Sequence, residues 1–258
     1  MENITIDREK CIGCGECAAD CVGRHIALKD GKAYVREGGC IGCGHCYAIC
    51  PVGAVDMPDC DTSGLDRILN FTEIEPEKLL LALKSRRTVR RFTDEPVSDE
   101  LVNMLLEAGR YSPTGSNFQL VHFAVMRDRE NLRRAEAEGM RVFKATPWLA
   151  QQVEEMESLP GGGKDFFLNG ATCVIVVGAN HRIDASISAA YMELMAQSLG
   201  LGVYFCNYFN YAAKHSEWLQ KLFAMPEGIR PGATLVLGHT DVKYCRLPPR
   251  DAAKVVWC

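Results

Sequence analysis

Apolar positions fall at helical spacing in some stretches of the chain and in short unbroken runs in others. Over residues 76 to 83, PEKLLLAL, a proline at an early helical position and Glu77 in the first turn precede Leu79, Leu80, Leu81 and Leu83, which predicts a helix. Ser98, followed by Asp99 and Glu100 and then Leu101, Val102, Leu105 and Leu106, predicts an amphipathic helix with a capped N-terminus. Asp184 to Leu199 reads as a helix too apolar to lie on the surface, and Val121 to Met126, Thr172 to Val177 and Ala233 to Leu237 read as buried strands. Residues 141 to 170 hold no sustained period, carry glycines at Gly161 to Gly163, and are expected to be irregular. Mixed helices and strands of this kind fit an α+β sandwich. Ahead of residue 60 the pattern changes, because cysteine and glycine replace the apolar periods.

Composition bounds what the chain can be. Its 258 residues, 47% hydrophobic and 24% charged, suffice for one large domain plus a small one. A net charge of −4 and an isoelectric point near 5.9 exclude a protein built to coat nucleic acid or an anionic membrane. The opening MENITIDREK lacks a basic region followed by an apolar core, and no run approaches a membrane span, so the expected location is the cytoplasm. Thirteen cysteines in such a chain need a reason, since a reducing cytosol disfavours structural disulfides.

Eight of the thirteen sit in two near-copies of one phrase, CIGCGECAADC from residue 11 and CIGCGHCYAIC from residue 40. Both have the spacing C-x2-C-x2-C-x3-C: Cys11, Cys14, Cys17 and Cys21, then Cys40, Cys43, Cys46 and Cys50. Thiolates three positions apart can wrap a corner of an iron–sulfur cube while intervening glycines let the backbone curl and aim N–H groups at sulfur. Zinc is the competing reading, but four-cysteine zinc sites usually come as two separated pairs rather than two unbroken runs. The segment closely resembles the bacterial ferredoxins with two 4Fe–4S clusters. In proteins of that pattern the fourth cysteine of each run serves the other cluster, which implies one site from Cys11, Cys14, Cys17 and Cys50 and another from Cys40, Cys43, Cys46 and Cys21. Val22 stands where the second copy has Pro51, without loss of a ligand. His45 is expected at the surface, and Ile12, Ile41 and Ile49 are expected to pack over the clusters.

On this reading residues 1–60 form a two-cluster domain, 61–75 a polar linker, and 76–258 a second domain. The second domain opens on KSRRTVRRF, with five basic residues from Lys84 to Arg91. A solvated helix end would explain that charge, and so would a phosphate site, because arginine offers a planar fork matched to phosphate oxygens. Further on come YSPTGSNFQ (from 111), ISAAYMELMAQSLGLGVYF (187 to 205) and YCRLPPRDAAKVVW (244 to 257). The four stretches in this order resemble the nitroreductase family of flavoenzymes, and the whole chain resembles a fusion of a ferredoxin with a nitroreductase. The resemblance implies an α+β sandwich, bound FMN, and a homodimer with the flavin at its interface. Carried over by position, Arg86, Arg87, Thr88, Arg90 and Arg246 would bind the phosphate and ribityl chain. Pro113, Thr114, Ser116, Asn117 and Gln119 would approach the flavin from the partner subunit, and Cys206, Asn207 and Tyr208 would face its ring.

Two departures from the family pattern bear on the electron donor. Leu120-Val121 follows the loop glutamine where the family often has Pro-Trp, and residues 207–210 lack the Pro-x-Glu-Gly stretch associated with nicotinamide-using members. The expected activity is therefore a relay from an external low-potential donor, ferredoxin-like or a reductase, through two clusters to FMN and a small conjugated acceptor such as a nitroaromatic or quinone. An anaerobic or microaerobic host suits such clusters. Three alternatives stay open: NAD(P)H-driven flow outward through the clusters, a non-enzymatic redox sensor, and clusters that are structural only. No catalytic side chain is expected, because the flavin carries the chemistry. Trp148, Phe166 and Phe167 are assigned to core packing in preference to stacking on a planar substrate. Cys173 is expected as a buried small hydrophobe, and Cys206 is the remaining cysteine to watch. His122, His181, His215 and His239 are isolated and are assigned structural places.

Overall fold

The computed structural model describes residues 4–62, 65, 74–158 and 165–258. Most of the expected linker and the glycines at Gly161 to Gly163 lie outside the described residues. The chain divides into two compact units, Met1–Glu73 with Thr114–Phe118, and Ile74–Pro113 with Gln119–Cys258.

In the first unit β1 (Thr5–Ile6) pairs antiparallel with β4 (Val55–Asp56), and β2 (Ile26–Lys29) pairs antiparallel with β3 (Lys32–Val35). The turn between β2 and β3 is Asp30-Gly31, both left-handed with φ of 53° and 69°, the geometry that matches a two-residue hairpin to strand twist. Two single-turn helices, α1 (Glu16–Ala19) and α2 (His45–Ile49), lie inside the two cysteine runs at equivalent places. Ile4, Ile26, Ala33, Ala54, Val55 and Met57 form the core together with Cys11, Cys17 and Cys46. Gly13 shows why the runs are glycine-rich: its φ is +71°, and a Cβ there would sit 2.0 Å from the Gly31 carbonyl oxygen.

The second unit is built on one four-stranded sheet of order β5-β6-β8-β7, all neighbours antiparallel. Its elements are α3 (Pro76–Ser85), α4 (Asp99–Arg110), β5 (Val121–Met126), α5 (Arg129–Lys144), α6 (Pro147–Glu157), β6 (Cys173–Ala179), α7 (Arg182–Ser198), β7 (Gly202–Phe205), α8 (Asn207–His215), α9 (Glu217–Phe223) and β8 (Arg230–Gly238). Every residue of β6 is buried, and successive residues serve opposite faces. Cys173, Ile175 and Val177 join Leu235, Leu237, Leu105 and Met192 on the face covered by α4 and α7. Val174 and Val176 join Val236, Phe143, Leu149, Phe209 and Leu219 on the face covered by α5, α6, α8 and α9. The sheet is thus the middle layer of an α+β sandwich. Among the described residues no helix is long and apolar enough to cross a membrane.

Ser98 caps α4 by accepting from the Leu101 N–H at 3.3 Å, and β5 runs over the expected residues. The segment expected to be irregular is different. It holds the end of α5 and all of α6, where Pro147 at the first turn starts the helix and Leu149 and Val153, four apart, bury its inner face. Gln151 and Gln152 between them, with Glu154 and Glu155 following, hide that spacing in the sequence. α3 forms as expected but buries none of its residues.

Candidate cofactor sites

In the first unit the eight cysteines of the repeat sort into two groups. Cys11, Cys14, Cys17 and Cys50 line one small cavity, and Cys21, Cys40, Cys43 and Cys46 line another. Each group takes three cysteines from one run and one from the other. Burial pushes the Cys17 thiol up, and the neighbouring charges of Cys14, Cys50 and Cys11 push it further. Burial likewise pushes Cys46 up to about 11. Thiolates disfavoured in this way need positive charge among them, which iron supplies. Backbone donors already face the sulfurs: the N–H groups of Ala33, His25 and Ala54 point at the Sγ atoms of Cys11, Cys21 and Cys50 at 3.4, 3.3 and 3.2 Å. Among the described residues no three His, Cys, Asp or Glu side chains converge as a single metal ion would require. The donor chemistry fits iron–sulfur clusters.

Of Ile12, Ile41 and Ile49, the three isoleucines expected over the clusters, two lie at the cysteine cavities. Ile12 and Ile41 line the two cavities, but these three side chains remain 62%, 42% and 37% exposed, because a unit this small has no second layer to cover them. His45 lies at the surface, 3.0 Å from Asp20 Oδ2 across the two runs.

In the second unit the basic stretch leaves the end of α3 and continues as an extended segment. The Val89 N–H donates to the Val203 carbonyl at 3.1 Å, and the Thr93 N–H to the His239 carbonyl at 2.8 Å. Gly202 permits the approach, since a Cβ there would meet Val89 Cγ1 at 2.7 Å. The four arginine and threonine candidates then part company. Arg86 turns to the buried Glu193, Nη1 to Oε1 2.8 Å; burial pushes that carboxyl up while the guanidinium offsets part of the rise. Arg87 and Arg246 share a pocket with Tyr244, Leu247 and Pro248, the Arg87 guanidinium lying 5.2 Å from the Tyr244 ring. Arg87 Nε is buried without a partner, an orphaned donor of the kind a phosphate oxygen would satisfy. The Thr88 carbonyl accepts from Tyr244 Oη at 3.4 Å, and Arg90 lies 5.8 Å above the Tyr204 ring. The residues present fit a phosphorylated flavin.

The PTGSNFQ loop is divided between the two units, with Pro113 and Gln119 in the second and Thr114, Ser116 and Asn117 in the first. Ser116, Asn117 and Gln119 all have positive φ, 48°, 55° and 52°, a backbone that side chains rarely adopt and that functional loops retain. After β7, the Cys206 Sγ caps α8 by accepting from the Phe209 N–H at 3.4 Å, and burial pushes its thiol up to about 11. Asn207 begins α8, and Tyr208 is half exposed and stacked on Phe166 with ring centroids 5.7 Å apart.

Trp148 does not join the core: it is 62% exposed, edge-on to Tyr211, whereas Phe167 is fully buried. Its place at the start of α6, a helix hidden in the sequence, is the reason. Cys173 is buried as expected, with its thiol pushed up to about 12 by burial. Two residues escaped the sequence reading. Tyr244 shows itself only as an aromatic two positions before Arg246. Glu193 shows itself only as the lone acid in the apolar stretch of α7.

The fold and these sites define a two-module protein of redox type, and comparison with known families agrees. The nitroreductase family model matches residues 83–239, and a 4Fe-4S dicluster domain model matches residues 4–57. The chain belongs to the nitroreductase family. It is 26% identical over 194 residues to the FMN reductase [NAD(P)H] of Bacillus subtilis, covering 68% of this chain and 72% of that one. The crystal structure of a nitroreductase with bound FMN from Desulfitobacterium hafniense superposes with a TM-score of 0.59 at 27% identity, covering 69% of this chain and 97% of the other. A Bacteroides fragilis nitroreductase shares the fold, with a TM-score of 0.60 at 18% identity over 70% of this chain and 98% of its own.

Proposed function

We propose that this protein is an FMN-dependent oxidoreductase in which two 4Fe–4S clusters relay electrons from a low-potential donor to the flavin, for reduction of a small conjugated acceptor such as a nitroaromatic or quinone. The observation that carries the reading is the presence, in one chain, of two four-cysteine cavities and a nitroreductase-family sandwich. Residues 1–60 form the cluster domain, 61–75 the connection and 76–258 the flavin domain. Cys11, Cys14, Cys17 and Cys50 hold one cluster, and Cys21, Cys40, Cys43 and Cys46 the other. The N–H groups of Ala33, His25 and Ala54 donate to the ligating sulfurs and thereby favour the more negative, reduced state.

Arg87 and Arg246 hold the FMN phosphate, while Arg86, Thr88 and Arg90 lie along the ribityl chain. Bound FMN supplies the exchange between one-electron delivery and two-electron reduction. Cys206, Asn207 and Tyr208 lie at the ring, and Pro113, Thr114, Ser116, Asn117 and Gln119 reach its polar edge from a second copy. A homodimer is supported by two surfaces: α3 leaves Leu79, Leu80, Leu81 and Leu83 between 43% and 57% exposed, and the terminal Val256 and Trp257 are almost wholly exposed. Thirteen free cysteines suit a reducing cytoplasm.

The second reading, outward flow from NAD(P)H, has one specific support, the nicotinamide donors in the names of curated relatives, the Bacillus FMN reductase among them. Anaerobic stopped-flow of the holoprotein separates the two. Reduced ferredoxin or dithionite should bleach the cluster band and then the flavin band, with NAD(P)H slow. Immediate flavin bleaching by NADH, with no response to the low-potential donor, would establish the outward direction instead.

A further inference from the structure

A second positively charged cavity lies on the sandwich unit, apart from the Arg87–Arg246 pocket. The residues at its mouth are Lys214 at the end of α8, Arg230 at the start of β8, and the loop 225–229 between α9 and β8. Met225 and Ile229 give part of its wall an apolar character, and His215 and Gln220 add polar edges. The antiparallel register sets this cavity at the far end of the sheet: Arg230 pairs with Ala179, whereas Leu237, two positions before the His239 that meets the basic segment, pairs with Cys173.

Lys214 and Arg230 line the cavity, and Arg182 opens α7 three positions past Ala179, the residue that pairs with Arg230, in a protein of net charge −4. Partial burial of its side chain holds the Lys214 ammonium below the ordinary lysine range, and the positive charges of Arg182 and Arg230 add to the effect. Among the described residues none of the three has a carboxylate within ion-pair distance, although Glu227 also lines the cavity. Lys214 by itself has an ordinary explanation, because a cation suits the C-terminal end of a helix. Arg182 has none: it is the first residue of α7, where the helix dipole opposes positive charge. Cations held against each other and against a helix dipole raise the affinity of the place for an anion.

We propose that this cavity binds an organic phosphate, its phosphate groups between Lys214 and Arg230 on the side of Arg182 and its apolar body along Met225 and Ile229. The site shares no lining residue with the Arg87–Arg246 pocket. Nothing in it depends on the flavin assignment, so the two readings fail separately.

The test is isothermal titration of FMN-loaded protein with inorganic pyrophosphate and with ADP, so that the Arg87–Arg246 pocket is already filled. Expected are one saturable site per chain and a loss of about tenfold or more in affinity for Lys214→Ala, the loss of one charge-assisted contact. Lys221→Ala serves as the control, since it removes the same charge from α9 outside the cavity and should leave affinity unchanged. Both substituted positions are exposed, and an unchanged melting curve shows that each variant is folded. Absence of saturable binding up to about 1 mM, or equal weakening by the two variants, overturns the proposal.

Discussion

Glu136 is a carboxyl whose ionisation the fold opposes. It accepts from the Phe167 and Leu168 N–H groups at 3.0 and 3.1 Å, yet burial raises its pKa to about 7, with the Asp165 charge adding to the rise. Arg129, Arg133 and Asp94 border the same cavity. The folded chain therefore holds a proton that the unfolded chain releases near the ordinary carboxylate pKa, so stability falls as pH rises between the two values. The expected loss is at most about 3 kcal/mol by pH 8. Glu136→Gln should match wild type at pH 5 and exceed it at pH 8 in thermal melts; parallel curves would remove Glu136 as the cause. The neighbouring arginines of the basic stretch should separate just as cleanly. Arg86→Ala strands the buried Glu193 and should destabilise the apoprotein, by about 3 kcal/mol if the pair behaves as a buried one. Arg87→Ala removes a donor without an internal partner, and should spare the apoprotein while weakening FMN by about tenfold or more. Fluorescence titration with FMN and chemical unfolding of the same two variants decide it.

At the scale of elements, legibility followed the clarity of local signals. The continuous apolar run of β6 and the Ser98 cap of α4 were readable because each is complete within a few residues. Ser98→Ala should cost about 1 kcal/mol, seen as a lower denaturation midpoint at unchanged m-value. α6 was not readable: Leu149 and Val153 are buried and Met156 packs alongside, but these few apolar positions do not stand out among Gln151, Gln152, Glu154 and Glu155. The motif marks Arg86 and Arg87 alike, and does not disclose that Arg86 turns to Glu193 while Arg87 turns to Tyr244, because that choice depends on α7 and the C-terminal segment, over a hundred positions away. α3 carries another lesson, since it forms where its leucines predict a helix, yet the single chain leaves them exposed. If a second copy covers them, Leu80→Glu with Leu81→Glu should turn a sedimenting dimer into a monomer, each leucine forfeiting roughly 1.5–3 kcal/mol of burial. A wild-type protein that sediments as a monomer would refute the dimer.

At the scale of the whole molecule the two units differ in what holds them together. The sandwich has a sheet buried on both faces and two apolar clusters built from its own side chains. Among the described residues the N-terminal unit has nine in its core, three of them cysteines that line the cluster cavities, and its strands are two to four residues long. Domains this small seldom stand on apolar burial alone, and a metal centre that binds only the folded form contributes its binding free energy to folding. The thiols of Cys17 and Cys46, pushed up by burial, add to that dependence, because loss of iron leaves them buried and protonated in a cavity shaped for a cluster. Oxidative removal of the iron under a chelator should therefore unfold the N-terminal unit and leave the sandwich folded. Limited proteolysis should then cut within residues 4–57 while a fragment retaining residues 83–239 survives and still binds FMN. Calorimetry of the holoprotein should show two transitions, of which only the first disappears on iron removal. An N-terminal unit that resists protease without its iron would mean that its small apolar core suffices. A sandwich that unfolds along with it would mean that the two units form one cooperative body.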